Sequence, residues 1–425
     1  MFRISQYLRE LAQAEREGTY PQPSRRGAAA AAPPGPVVIW NLIRRCNLTC
    51  KHCYALSADH EYEGELSTAE VFTVMDDLRG FGVPVLILSG GEPLMRPDLF
   101  EIAARARQQG FYVGLSTNGT LIDEPMADRV AQAGFDYVGI SLDGMGATHD
   151  RFRRLDGAFE LSLAAMRRLH ARGVKLGLRY TMTAMNAQDL PPLLQLMRDE
   201  GVDKFYFSHL NYAGRGNIHR AQDARFAATR AALDLLFARA LAAAREGRAE
   251  EYVTGNNDAD GPYLLQWLAQ HEPDLHRRFG AALRARLVAW GGNASGVGVA
   301  NIDNLGEVHP DTMWWHHALG NVRQRPFSAI WRDVSDPLMK GLKQRPRPVG
   351  GRCAACRHFD ICGGNTRVRA EQITGNPWAE DPGCYLDDDE IGLCATQPAT
   401  RVVVTPFTGR TAGRRRVPII AAEDL

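Results

Sequence analysis

From Val37 onward the chain alternates between short apolar runs and stretches whose apolar residues recur every three or four positions. The runs are VVIWNL (37–42), PVLILS (84–89), YVGLS (112–116), YVGISL (137–142), LGLRYTM (176–182) and KFYFSHL (204–210). Helical spacing fills the gaps, over about 66–80, 97–110, 122–134, 158–172 and 189–200. Continuous Val/Ile/Leu runs belong to strands buried on both faces. Strands separated by helical stretches build βαβ units and a parallel sheet. The expected fold class is therefore α/β. Six repeats fall short of a closed eight-stranded barrel, so the pattern predicts a partial, open (β/α)6 TIM-like barrel. Chemistry in such barrels gathers at the C-terminal ends of the strands.

The flanks read differently. Residues 1–18 carry Ile4, Tyr7, Leu8 and Leu11 on one helical stripe. A Pro/Ala/Gly-rich linker follows over 21–36, so the folded body is expected to start near Val37. Residues 219–290 are Ala/Arg/Leu-rich and read as two or three helices. Residues 297–310 read as a hairpin around Asn304-Leu305-Gly306. The tail from about Gln397 is Thr/Arg/Pro-rich and expected to be flexible. The expected organisation is an N-terminal helix and linker (1–36), the partial barrel (37–218), a helical connector (219–296), a C-terminal extension (297–396) and the tail (397–425).

Composition narrows the class. Hydrophobic residues make up 45% and charged residues 23% of 425, which allows a sizeable core. A net charge of +1 gives no global electrostatic case for nucleic acid or an acidic membrane. No apolar run reaches the ~18–20 residues of a membrane-spanning helix. Arg3, Arg9 and Glu10 argue against a signal peptide, so a cytoplasmic, reducing compartment is expected.

The eight cysteines then decide where the chemistry lies. They form two tight groups with a long cysteine-free stretch between. Clustered thiols in a reducing compartment read as metal or cluster ligands rather than disulfides. The first group, Cys46-x3-Cys50-x2-Cys53, follows the first strand. Four thiolates would close a zinc site or a fully ligated cluster. Three leave one iron of a 4Fe–4S cluster open to a ligand. A zinc site completed by His52 is the competing reading.

Three polar turns accompany this loop. Strand two ends in Ser89-Gly90-Gly91-Glu92-Pro93, strand three in Ser116-Thr117-Asn118-Gly119 and strand four in Ser141-Leu142-Asp143-Gly144. Glycines admit close backbone approach, and a carboxylate accepts bonds from an ammonium group. Each turn alone is an ordinary turn signal. Their succession, one after each strand, is the stronger observation.

These motifs together resemble the radical S-adenosylmethionine (SAM) superfamily. The resemblance implies a 4Fe–4S cluster on Cys46, Cys50 and Cys53 whose open iron chelates SAM. It implies a SAM pocket from Tyr54, Gly90, Gly91, Glu92, Pro93, Thr117, Asn118, Ser141 and Asp143. One departure is His52, where the family commonly has an aromatic residue before the third cysteine.

The second group, Cys353-x2-Cys356-x5-Cys362 with Cys384, resembles a SPASM-type C-terminal extension. That implies a fully ligated auxiliary 4Fe–4S cluster. The complete SPASM pattern holds two clusters, but the hairpin here ends at Asp311 and the other expected cysteine position is Thr366, so one is expected. Cys394 is left over, and a structural zinc knuckle is the competing reading.

As a whole-chain pattern over about 36–395, the sequence is similar to the NirJ-type enzymes of haem d1 biosynthesis, most tellingly from Val38 to Ala55. The resemblance implies a sirohaem-derived tetrapyrrole, didecarboxysirohaem, that loses two propionate side chains. It also implies an electron donor such as ferredoxin or flavodoxin. Candidates for holding tetrapyrrole carboxylates and faces are Arg179, Lys204, His209, Arg215 and the run Met313 to His317; no catalytic base is identified. Two alternatives stay open. One is a related SPASM-type enzyme acting on haem propionates or on a peptide; the other is a non-catalytic iron–sulfur electron carrier.

Overall fold

The computed structural model describes residues 1–21, 35–393 and 402–407. Seven parallel strands run in chain order across one sheet: β1 (Val37–Asn41), β2 (Val85–Ser89), β3 (Tyr112–Thr117), β4 (Tyr137–Ser141), β5 (Leu176–Met182), β6 (Lys204–His209) and β7 (Glu251–Gly255). Beyond β1 the sheet continues with β8 (Val299–Ile302), parallel to β1, and then antiparallel β9 (Glu307–His309) and β10 (Gly320–Asn321). Helix α1 (Ile4–Glu17) precedes β1, and the helices between strands include α2 (Thr68–Gly80), α3 (Leu99–Gln108), α4 (Glu124–Ala133), α5 (Ala147–Arg153), α6 (Ala158–His170) and α7 (Leu190–Asp199). The parallel α/β architecture with open ends is the expected one.

Each element has a local cause. Ser67 and Glu70 form a capping box that starts α2, and Asp123 caps α4 through the Met126 amide. On the strands, the outward residues Leu86, Leu88, Val113, Leu115, Val138, Ile140, Phe205 and Phe207 are fully buried. They form one core with Val71 and Met75 of α2, Ile102 of α3 and Leu193 of α7. The inward residues alternate with them and line the barrel's interior.

Three expectations need correction. A seventh barrel strand, β7, lies inside the stretch read as purely helical, paired with β6 from Lys204↔Glu251 to Ser208↔Gly255. Its Tyr-Val-Thr run is too short to show a period beside the long Ala/Arg-rich helices on either side. The hairpin at Gly306 forms, but its first strand adds to the open edge of the barrel beside β1. The folded body also begins well before Val37. Phe2 bridges antiparallel to Thr254, with hydrogen bonds of 2.7 and 2.8 Å, and Ile4, Leu8 and Leu11 are fully buried. This segment covers the exposed edge of β7, where an open sheet would otherwise offer unpaired backbone. Most of the linker and tail, and Cys394, lie outside the described residues. Within the tail, Val404 packs with Leu210 and Tyr212, and Arg220 donates to Thr405 O at 2.7 Å.

Candidate active site

The loop after β1 brings Cys46, Cys50 and Cys53 together above the strand ends, with Cys46 and Cys50 buried in a small cluster with Leu48. The loop is held from three sides. Strand β2 ends against it: the Gly91 amide donates to Ile43 O at 2.6 Å and the Glu92 amide to Arg45 O at 2.9 Å. A side chain at Gly90 would collide with Ile43 O, and one at Gly91 with the carbonyls of Arg44 and Arg45. These glycines are thus needed for backbone to meet backbone. From β3, Asn118 Nδ2 donates to Asn47 Oδ1 at 2.9 Å. From the turn after β6, Arg215 Nε donates to Cys50 O at 2.7 Å, its Nη2 to Ser57 O at 2.9 Å and its amide to Cys53 O at 2.9 Å.

Glu92 is fully buried beneath this loop. It accepts from the Thr117 hydroxyl at 2.7 Å, the Asn118 amide at 2.8 Å and the Leu94 amide at 3.1 Å. Burial outweighs these donors and pushes its carboxyl up to about 7. Asp143 is also fully buried. It accepts from the Thr181 amide at 2.6 Å and pairs with Arg153, while His52 Nε2 stands 3.8 Å away. Burial disfavours its charge, but Arg153, then His52 and His149, hold it below the usual carboxylate range. Arg153 also donates to Cys50 Sγ at 3.6 Å, so one guanidinium joins the turn after β4 to the cysteine loop. Burial drives His52 down to about 4, so it is neutral near pH 7.

Tyr54 accepts from Asn41 Nδ2 at 2.9 Å and lies 5.9 Å from Trp315, whose ring stacks on His309 at 5.9 Å. Pro93 is buried at the turn after β2, and Ser141 ends β4 opposite Arg179. Every residue expected in the SAM pocket therefore lies at the C-terminal rim of the barrel. Arg153, His149 and Asn186, which fixes the Asp143 carbonyl at 2.8 Å, were missed by sequence reasoning. The His149-Asp150-x-x-Arg153 run on α5 was the available signal.

The substrate candidates divide. Lys204 starts β6, at the opposite end of the barrel, and pairs with Glu251 at 3.0 Å. His209 faces the outer core and meets Asp260 at 3.1 Å. Arg215 spends its donors on the cysteine loop. Trp314 is buried in a satellite core, while His316 and His317 pair with Glu371 and Asp336. Of the rest, Arg179 reaches across to Ser116 Oγ at 2.6 Å, and Trp315 lies against Tyr54 and His309.

The second set, Cys353, Cys356, Cys362 and Cys384, converges beside the barrel. Burial and then the charges of the other three hold the Cys362 thiol well above its ordinary value. Arg352 lies against Cys384 and Arg367 opposes the shift at Cys353. Among the described residues no three His, Cys, Asp or Glu side chains sit close enough to hold a single metal ion. In the first loop, burial and then Cys50 raise the Cys46 thiol. The three thiols of this loop, with no fourth beside them among the described residues, fit as donors to an iron–sulfur cluster that leaves one iron open.

Residues 40–203 match the Radical SAM superfamily model. The chain is 55% identical over 411 residues to pre-heme d1 synthase of Dinoroseobacter shibae, covering 96% of this chain and 98% of the relative. The chain belongs to the radical SAM superfamily. As a radical SAM enzyme it uses SAM and a 4Fe–4S cluster. A second relative is Fe-coproporphyrin III synthase of Methanosarcina barkeri, 46% identical over 84% of this chain and 89% of the relative. Among solved structures, Streptococcus suis SuiB bound to S-adenosylmethionine shares the radical SAM fold, with a TM-score of 0.64, 14% identity and coverage of 89% of this chain and 87% of that one. No helix of the described residues is long and apolar enough to cross a membrane.

Proposed function

We propose that this radical SAM enzyme acts in haem d1 biosynthesis and removes two propionate side chains of didecarboxysirohaem. The observation that carries the reading is the likeness to pre-heme d1 synthase along nearly the whole of both chains. The likeness to Fe-coproporphyrin III synthase supports the same substrate class. Cys46, Cys50 and Cys53 hold the SAM cluster, and Cys353, Cys356, Cys362 and Cys384 hold an auxiliary one. A cluster held by Cys46, Cys50 and Cys53 would supply the electron for reductive cleavage of SAM, the chemistry that would start propionate removal. The protein's own task is to orient both ligands. Glu92, its oxygens set by Thr117, Asn118 and Leu94, would answer the SAM ammonium from beneath the loop. Tyr54, Gly90, Gly91, Pro93, Asn118, Ser141 and Asp143 shape the rest of the pocket. A ferredoxin or flavodoxin is the electron donor.

The test is anaerobic reconstitution with dithionite and SAM, with and without didecarboxysirohaem. Nucleoside formation that rises with the tetrapyrrole, with loss of propionate mass from it, is the expected result. Nucleoside indifferent to the tetrapyrrole moves the assignment to another substrate.

The raised carboxyl of Glu92 gives a second expectation. The SAM ammonium needs the carboxylate form. Below about pH 7 the free site holds a proton that must leave first, so SAM affinity falls as pH drops. In the ligand-free protein the sign is opposite. A folded value above the ordinary 4.5 means this group's contribution to stability declines as pH climbs from 4.5 to about 7. Equilibrium binding of SAM from pH 6 to 8 measures the first effect, and Glu92→Gln should flatten the profile while weakening binding throughout.

A further inference from the structure

From its floor up to the level of Ser141, the barrel's interior is lined by an aromatic and cationic surface. Tyr137 opens β4, Arg179 stands midway along β5 and Tyr206 lies on β6. Glycines on neighbouring strands make room for them. A side chain at Gly177 would collide with the Tyr137 hydroxyl, one at Gly255 with the Tyr206 hydroxyl, and one at Gly139 would come within 2.8 Å of Arg179 Cδ. At the floor, Lys204 neutralises Glu251 at 3.0 Å and its ammonium lies 5.1 Å from the Tyr137 ring centre.

Arg179 is different. Its Nη1 donates to Ser116 Oγ at 2.6 Å, and its guanidinium stands 5.2 Å from the Tyr206 ring centre. No carboxylate of the described residues comes within 4.0 Å of it. A half-buried guanidinium without a counter-ion is costly as a purely structural device. Its rigid fork of donors matches a carboxylate. The depth matters too. Arg179 lies three residues before the end of β5, in register with Ser141 at the end of β4.

We propose that Arg179 binds a carboxylate of the substrate and sets specificity for a ligand bearing propionate-type acids, with Tyr206 as its aromatic neighbour. The proposal rests on the tetrapyrrole reading above and names the residue that reads the substrate's charge.

The reconstituted holoenzyme is titrated anaerobically with iron coproporphyrin III and with its fully methyl-esterified form, following the Soret band, and separately with SAM. The wild type should bind the free acid more tightly than the ester. Arg179→Gln should weaken the acid by about tenfold or more, as for loss of one partner of a desolvated charge pair, while leaving the ester where it was. Arg179→Lys should recover part of the preference, and Ser116→Ala, which frees the guanidinium without removing it, should blunt it. Iron content equal to wild type checks the fold of each variant. An acid-to-ester ratio unchanged in Arg179→Gln overturns the proposal and leaves the tetrapyrrole reading standing. Loss of SAM affinity in step with acid affinity also overturns it, because Arg179 then serves SAM. A wild type that binds neither porphyrin overturns the tetrapyrrole reading itself, and this proposal with it.

Discussion

Cys46→Ala is expected to abolish reductive SAM cleavage, with no 5′-deoxyadenosine above the dithionite background. The expectation follows from how the loop is built. An open iron requires three thiolates and no fourth, and the described residues near Cys46 offer no replacement thiol beyond Cys50 and Cys53. The loop itself should survive the change. Its shape is fixed by backbone bonds to Gly91 and Glu92, by Arg215 and by Asn118, and the Cys46 sulfur adds one bond, accepted from the Leu48 amide at 3.4 Å. The variant therefore separates chemistry from folding: iron content should fall by one cluster, while the far-ultraviolet spectrum is kept. Cys356→Ala serves as the counterpart. It should also lose one cluster yet retain some nucleoside formation, because Cys356 sits in the second set. If both variants keep full iron and full activity, the two-cluster assignment fails.

Much of this arrangement was legible in the chain. Parallel strands show themselves because both faces are buried, so VLILS and YVGIS read as unbroken apolar runs. Polar residues at strand ends then have nowhere to lie but the rim. Contacts formed across long separations were not legible. Asn301 donates to Asn41 Oδ1 at 2.6 Å, and this buried pair fastens β8 to β1. Neither residue announces the other in sequence. The same holds for Phe2 and Thr254, and for β7, whose strand identity comes from an open edge beside β6 rather than from its own five residues. Glycines proved ambiguous in the same way. Gly90 and Gly91 suggested close approach to a ligand, whereas the atoms they admit are the carbonyls of Ile43, Arg44 and Arg45. Charged candidates were legible as residues but not as orientations. Arg215 and Arg179 look alike in sequence; one is consumed by three loop contacts and the other points into the interior.

Arg153→Met is expected to be the most destabilising single change at the rim. It leaves Asp143 fully buried with its main counter-charge gone, and breaking a buried pair from one side costs about 3–5 kcal/mol. The pH dependence tells this mechanism from simple loss of packing. In the wild type Asp143 is held below its ordinary 3.8, so its contribution is present above that value and lost only as pH falls through the lower folded value. In the variant, burial acts with Arg153 absent, and the folded Asp143 comes to hold its proton more tightly than the unfolded chain does. The loss should therefore be small near pH 4 and grow as pH rises, which anaerobic urea denaturation of wild type and variant at several pH values would measure. A deficit independent of pH would point to packing instead. Arg153→Met combined with Asp143→Asn removes the stranded charge and should recover part of the stability. It should not recover SAM cleavage, because Arg153 also donates to Cys50 Sγ and steadies the cysteine loop. Stability and activity then separate at one residue, since the same guanidinium answers a buried carboxylate on one side and the Cys50 sulfur on the other.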